Sequence, residues 1–293
     1  MRINPVLRNE SKLAVRTPKF TLLLFVYISI LTSGVLLFYK SYSELVYTSG
    51  LNLQSSIMLY MGMAIAQAVL LMFIVPALTS TAICSEREKQ TLDMLLSSKL
   101  TPFQIIIGKV SSSSAKIIML IICTMPMYTV CGLVGGVRLS NIIQLVLFFI
   151  VCTIFVGSIG VCVSTYVKTS KAATAATYGV ILFIFGGTLI IAGIIYFIAT
   201  LKSRGGALPQ VSWVIYLSPL TGFANMLMNQ LGDVSGLGYI INDIGISQYT
   251  EYISMAIQLV LSAGCIYLAT IKLNPLNRSN NLKMSRKKKI IKE

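Results

Sequence analysis

The chain has no histidine, one tryptophan and only nine acidic residues among 293. Without histidine there is no Ser-His-Asp triad, no H-E-x-x-H metal motif and no imidazole proton shuttle. Charged residues make up only 11% of the chain, against roughly 25% in soluble domains. A phosphate-cradling loop is also missing: the only Gly-Lys pair, Gly108-Lys109, is followed by Val110, and Phe103 stands where the earlier glycine is needed. The six cysteines (Cys84, Cys123, Cys131, Cys152, Cys162, Cys265) form no C-x-x-C pair and read as small apolar filler in helices. These absences exclude the commonest hydrolase, metalloenzyme and ATPase chemistries from the chain itself, so it is expected not to be an enzyme.

What is abundant is apolar sequence, at 55% of the residues with a mean hydropathy of +0.80. Near-uncharged apolar stretches run over about 20–39, 57–78, 116–134, 142–165, 172–200 and 252–271. Each approaches or exceeds the roughly 20 residues that a helix needs to cross about 30 Å of hydrocarbon. The fold class is therefore all-α, a polytopic membrane protein with six transmembrane helices. The fifth stretch is long enough to kink at Gly186-Gly187 or to run on outside the bilayer. The first is too long for a signal-peptide core and lacks a small-residue cleavage site after it.

Basic residues orient the chain. Placing the N-terminus in the cytoplasm puts 20 of the 24 lysines and arginines on that side, leaving Lys40, Arg138, Lys202 and Arg204 outside. Acidic residues divide five to four, so the net charge of +15 lies entirely inside. That imbalance places both termini in the cytoplasm of a multi-pass cell-membrane protein. It also argues against nucleic acid as partner, because the basic residues flank spans and no aromatic-basic module exists.

Outside the spans, residues 5–19 read as a short basic amphipathic helix on the bilayer surface, the alternative being a tail that simply obeys the charge rule. Residues 201–250 form the longest outer excursion, in which "SPLTGFANMLMNQLGD" spaces Leu220, Phe223, Leu227 and Leu231 at helical intervals. That helix is too short to span and is expected to be re-entrant or interfacial. The chain divides into a membrane domain, 1–273, and a basic cytoplasmic tail, 274–293.

No ionisable residue stands near the middle of an assigned span, so the usual means of coupling to a proton gradient is lacking. Sodium sites built from carbonyls and hydroxyls stay open. Polar residues within spans are Thr32, Ser33, Gln67, Thr174, Thr177 and Tyr178. They are candidates for a translocation path or for hydrogen bonds between packed helices. The pair Met125 and Met127 around Pro126 reads as packing and a kink rather than a soft-metal site.

The densest charge lies in "SEREKQTLDMLLSSKLTP", between spans two and three. Ser85 followed by Glu88 has the form of a capping box, Leu92, Leu95, Leu96 and Leu100 form one apolar stripe, and Pro102 is expected to end the helix. An amphipathic helix of about three turns results, placed to lie on lipid or to bind a partner.

The run E-R-E-x-x-T-L-D-x-L-L-x-S-x-L-T-P-x-x-I-x-x-G-K, from residue 86 to 109, closely resembles the cytoplasmic loop of ATP-binding-cassette (ABC) exporter permeases of the type V fold. "NPVLRNESKLAVRTPKF" resembles their N-terminal segment, and "SPLTGF" their outer hairpin. The resemblance implies a bacterial permease subunit that moves substrate outward, pairs with a second permease copy or homologue, and docks two cytoplasmic ATPase subunits. ATP and Mg would reside in those subunits, with no cofactor in this chain. It implies an N-terminal elbow helix over 5–19, an interface between permeases lined by spans one and five, an outer gate over 207–233, and a coupling helix. Glu86, Arg87, Glu88, Thr91, Asp93, Leu95 and Leu96 would form that docking element. The outer region, continuing to about residue 250, is longer than in the family pattern. Two other readings stay open: a non-transporting anchor or sensor of an ABC-type ATPase complex, and a gradient-driven carrier.

Overall fold

Long apolar runs with few breakers dictate long helices, and the computed structural model describes them over residues 18–49, 53–92, 94, 97, 101–135, 137–202, 216–231 and 249–274. Among these residues there is no strand. In chain order the elements are α1 (Pro18–Ser49), α2 (Leu53–Thr79), α3 (Cys84–Glu88), α4 (Pro102–Gly135), α5 (Leu139–Tyr166), α6 (Ser170–Leu182), a π turn (Phe183–Gly187), α7 (Thr188–Lys202), α8 (Pro219–Leu231) and α9 (Thr250–Leu273). The elbow segment expected before Pro18, the basic tail after Asn274, and the parts of the outer region at 203–215 and 232–248 lie outside the described residues.

Among the described residues six stretches are long and apolar enough to cross a membrane: Phe20–Leu37, Leu59–Glu88, Pro102–Thr129, Leu139–Tyr166, Ser170–Ile195 and Thr250–Leu273. They match the six expected spans in number and order, but the second runs on to Glu88 instead of 78 and the third begins at Pro102 instead of 116. Pro102 occupies the first turn of α4, and the helix end expected just ahead of it, at 98–100, lies outside the described residues. Proline suits that position because its missing N–H has no partner to lose there. Thr101 and Gln104 exchange bonds around it, Thr101 N–H to Gln104 Oε1 at 3.1 Å and Gln104 N–H to Thr101 Oγ1 at 3.3 Å, a reciprocal cap. At 34 residues α4 is about 51 Å long, roughly 20 Å more than hydrocarbon requires.

Helix α5 is the hub, packing on α2, α4, α6, α8 and α9. Its apolar window is 61% buried, whereas that of α1 is 17% buried and that of α6–α7 is 22% buried. Close approach at the centre depends on small residues. A Cβ at Gly160 would lie 2.9 Å from Thr79 Cβ, and one at Gly222 would lie 2.7 Å from Ser254 Cβ, so α2 meets α5 and α8 meets α9 at backbone distance. Tyr60, Tyr128, Phe148, Phe149 and Phe223 fill the wider gaps, with Phe223 ring centroids 6.0 Å and 5.8 Å from Phe148 and Phe149.

Where the sequence expects a kink, at Gly186-Gly187, the chain makes the π turn. Ser218 hydroxyl, just ahead of α8, donates to Phe185 carbonyl at 3.3 Å and ties this irregular segment to the next element. Of the stripe expected on α8, Phe223 and Leu227 are buried, with Met226 beside them, whereas Leu220 is exposed. The polar face of α8 joins a network at the far end from α3. Gln230 accepts from Tyr60 hydroxyl at 2.8 Å and donates to Gln144 at 3.1 Å. The buried Glu251 carboxylate accepts from Gln144 at 2.7 Å and from Asn229 at 3.2 Å. A carboxylate placed there needs such amide donors to offset its desolvation.

Candidate functional site: the charged segment after the second span

The chain leaving α2 barely unwinds. Ser80 N–H bonds Pro76 carbonyl, Ser85 N–H bonds Thr81 carbonyl, and Arg87 N–H bonds Ile83 carbonyl, so α3 continues almost directly from α2. This removes the expected capping box. Ser85 already lies inside a helical turn, the N-cap position belongs to Ile83, and no side chain caps it. Instead, Ser164 of α5 accepts from the backbone N–H groups of Ile83 and Cys84 at 3.1 and 3.0 Å. A hydroxyl from another helix thus satisfies two donors that a helix start would otherwise leave orphaned.

The three charges of Glu86-Arg87-Glu88 then diverge to three different helices. Glu86 pairs with Lys109 of α4. Arg87 donates to Val167 carbonyl at 2.7 Å and Thr165 carbonyl at 3.1 Å, capping the end of α5, where unpaired carbonyls and the helix dipole favour a cation. Glu88 accepts from the backbone N–H and the hydroxyl of Ser170 at 2.7 and 2.6 Å, capping the start of α6, where a carboxylate is favoured for the mirror reason. Arg87 and Glu88 therefore straddle the α5–α6 junction. Cys84 adds to the fastening, its thiol 3.1 Å from the carbonyls of both Ser164 and Val167.

The expected three-turn helix is interrupted after Glu88, and helical backbone is described again at Leu92 and Met94. Gln90 takes a φ of 58°, Gln90 N–H returns to Arg87 carbonyl and Thr91 N–H to Glu86 carbonyl, the two bonds of a Schellman ending. Thr91 hydroxyl reinforces it, 3.2 Å from Glu86 carbonyl. The reversal turns Leu92 inward. It is buried against Ile83, Ile105, Ile106, Val110, Val161, Ala269 and Leu273, a second apolar cluster that holds the segment to α4, α5 and α9. Lys89, Gln90, Thr91, Met94 and Ser97 stay exposed, Met94 to 76%, and Phe103 at the start of α4 is 51% exposed.

Of the residues expected to dock a partner, Glu86, Arg87 and Glu88 thus make bonds within the subunit, and Thr91 is exposed. Asp93, Leu95 and Leu96 lie outside the described residues. The sequence reading missed Lys109, Ser164 and Ser170, whose roles appear only when four helices meet. The six polar span residues do not form one lining. Thr32 and Ser33 are exposed on α1 and bond their own helix, at Ile28 and Ile30 carbonyls. Gln67 is fully buried and accepts from Thr124 of α4 at 3.3 Å. Thr174 meets Ser80 at 3.0 Å, Thr177 donates to Ala173 carbonyl, and Tyr178 hydroxyl donates to Phe73 carbonyl at 2.6 Å. Four of the six thus serve contacts between α2 and α4 or between or within α2 and α6.

A family model described as ABC-2 family transporter protein matches residues 5–271. No curated protein matches the chain.

Proposed function

We propose that this chain, which belongs to the ABC-2 family of transporter proteins, is a permease subunit that exports its substrate using ATP hydrolysed by separate cytoplasmic subunits. The observation that carries this reading is the fastening of residues 84–92 to α4, α5, α6 and α9 at once. A segment joined only to its own flanking helices passes force to those two. This one also passes it to three more elements, α5, α6 and α9, so a partner that pushes on it moves the bundle as a unit. Such a handle needs no chemistry of its own.

The docking surface in this reading is the exposed rim left once the inward bonds are made: Lys89, Gln90, Thr91, Met94 and Phe103. Met94 and Phe103 contribute buried apolar area, and Lys89 the charge that orients an encounter. The poorly covered faces of α1 and α6–α7 support pairing with a second permease, since exposed apolar stripes such as Leu22, Phe25, Leu36, Phe183, Ile190 and Phe197 pack equally well on protein or on lipid. The charge imbalance supports placing the docking rim and both termini on the cytoplasmic side of the membrane.

The test is reconstitution with the cognate ATPase in vesicles. Wild-type chain retains the ATPase through purification and raises its hydrolysis, with ATP added on the ATPase side driving solute across. Lys89→Glu with Met94→Glu leaves membrane insertion unchanged and loses both retention and stimulation. Retention and ATP-driven flux that survive the double change would overturn the assignment of this surface, and hydrolysis without flux would overturn export.

A further inference from the structure

Helices α5 and α9 lie side by side along their length, and two contacts fix how they do so. Near one end Gln144 donates to Glu251 at 2.7 Å, and near the other Lys272 stands 5.4 Å from the centre of the Tyr166 ring. The paired positions are 107 and 106 residues apart, so the two helices run parallel in one unbroken register. The buried face of α9 follows it through Gln258, Ser262, Ala269 and Leu273. Cys265 stands one turn from both Ser262 and Ala269, on that same face.

This register sets Cys265 opposite Ser158 and Ile159 of α5, one turn from Cys162, and there two sulfurs meet. The thiols of Cys162 and Cys265 hydrogen-bond each other, and Ser158 is a further neighbour of Cys265. Both cysteines are free and only partly buried. Small side chains around them, Ser158, Ser262 and Ala269, permit the close approach that a disulfide demands, with Cα atoms within about 7 Å of each other.

Access distinguishes this pair from Cys84, which is buried and gives its thiol to backbone carbonyls. Beside Cys265 the flank of α9 is open: a Cβ on Gly264 would meet nothing within 4 Å, and Tyr267 and Leu268 are exposed. Thiol chemistry needs such exposure. Both cysteines lie inside stretches apolar enough to cross a membrane, so a reagent reaches them from hydrocarbon rather than from water.

We propose that Cys162 and Cys265 form a redox modification site, which a membrane-dissolved organic hydroperoxide converts to a disulfide joining α5 to α9. One thiol attacks a peroxide oxygen and the O–O bond breaks. That sulfur becomes S–OH, while the departing alkoxide takes the thiol proton and leaves as an alcohol. The second thiol then attacks the S–OH sulfur, the S–S bond forms, and hydroxide leaves with the second proton as water. Each sulfur gives up one electron, and the peroxide takes both. A dithiol reverses the step by exchange. The bond braces α5 one turn ahead of the Thr165 and Val167 carbonyls that Arg87 caps, so oxidation stiffens the corner on which the charged segment rests. The inference does not depend on what docks there.

The experiment treats the full chain in lipid nanodiscs with cumene hydroperoxide, blocks the remaining thiols with N-ethylmaleimide in denaturant, and maps the peptides by mass spectrometry. The expected result is a peptide pair linked through Cys162 and Cys265, two hydrogens lighter than its parts, that is lost on treatment with dithiothreitol while Cys84 carries the maleimide. Cys162→Ser abolishes the link and leaves Cys265 as a sulfenic acid that dimedone captures, and Cys265→Ser does the reverse. Unfolding in SDS before oxidation removes the preference for this pair. Oxidation of both cysteines without a link between them overturns the proposal, as do links from Cys265 to Cys123 or Cys152 in equal yield in the folded chain. A link made by a charged, water-soluble disulfide but not by the hydroperoxide overturns it as well.

Discussion

Glu88 and Ser170 stand 82 positions apart, yet the carboxylate holds both the backbone N–H and the hydroxyl of the serine, at 2.7 and 2.6 Å. One side chain at the end of α3 thereby provides the cap that Thr169, in the N-cap position of α6, does not make. Any rotation of α3 must carry the first turn of α6 with it or break this bond.

Glu88→Gln keeps the shape and loses the charge, and Ser170→Ala removes one of the two bonds. Each change is expected to lower the melting temperature of the purified chain, and the double variant to lower it by less than the sum, because both remove the same interaction. If the proposed coupling is correct, Glu88→Gln also weakens ATPase stimulation more than it weakens ATPase retention. Additive melting shifts would show that the contact contributes little.

Arg87 spans two carbonyls with one planar group. Replacing it with alanine strands Val167 and Thr165 carbonyls at the end of α5 and should cost about 2–4 kcal/mol, judged from charge-assisted bonds of this kind. Arg87→Lys should recover less than half of that loss, since an ammonium cannot reach both acceptors in the same fork geometry. Chemical denaturation in mild detergent measures both.

Gln90 occupies a left-handed backbone position that costs a side-chain-bearing residue roughly 1–2 kcal/mol. Glycine avoids that cost but loses roughly 0.5–1 kcal/mol of unfolded-state entropy, so Gln90→Gly should be neutral to slightly stabilising. Gln90→Val, β-branched at the same φ, should be clearly destabilising and should release Leu92 from its cluster, read as increased proteolysis between Glu88 and Pro102.

Glycines divide sharply by surroundings. Gly160→Ala and Gly222→Ala push a methyl into Thr79 and Ser254 and should cost about 1–3 kcal/mol through overpacking. Gly34→Ala and Gly264→Ala meet nothing within 4 Å and should be neutral or mildly stabilising. Thermal unfolding of the four variants side by side tests whether α2–α5 and α8–α9 truly meet at backbone distance.

The amino-acid sequence by itself determined the helical class, the six spans and the amphipathic face of α8. Each of these is a sum over neighbouring residues, a run of some 20 apolar side chains or a stripe at 3.6-residue period, and needs no knowledge of what lies opposite. The same local logic misplaced the charged segment. Ser85 and Glu88 have the spacing of a capping box, but a box forms only at a free helix start, and the chain reaches Ser85 still wound from α2. Pro102 reads locally as a stop, and only the reciprocal bonds of Thr101 and Gln104 reveal that it also opens α4. Which helix each of Glu86, Arg87 and Glu88 would grip was settled only by tertiary structure, because Lys109, Thr165, Val167 and Ser170 come to one place through packing of α5 against its neighbours. The meeting of Cys162 with Cys265 has the same origin: no spacing along the chain pairs them, and only the parallel packing of α9 on α5 brings the two sulfurs together.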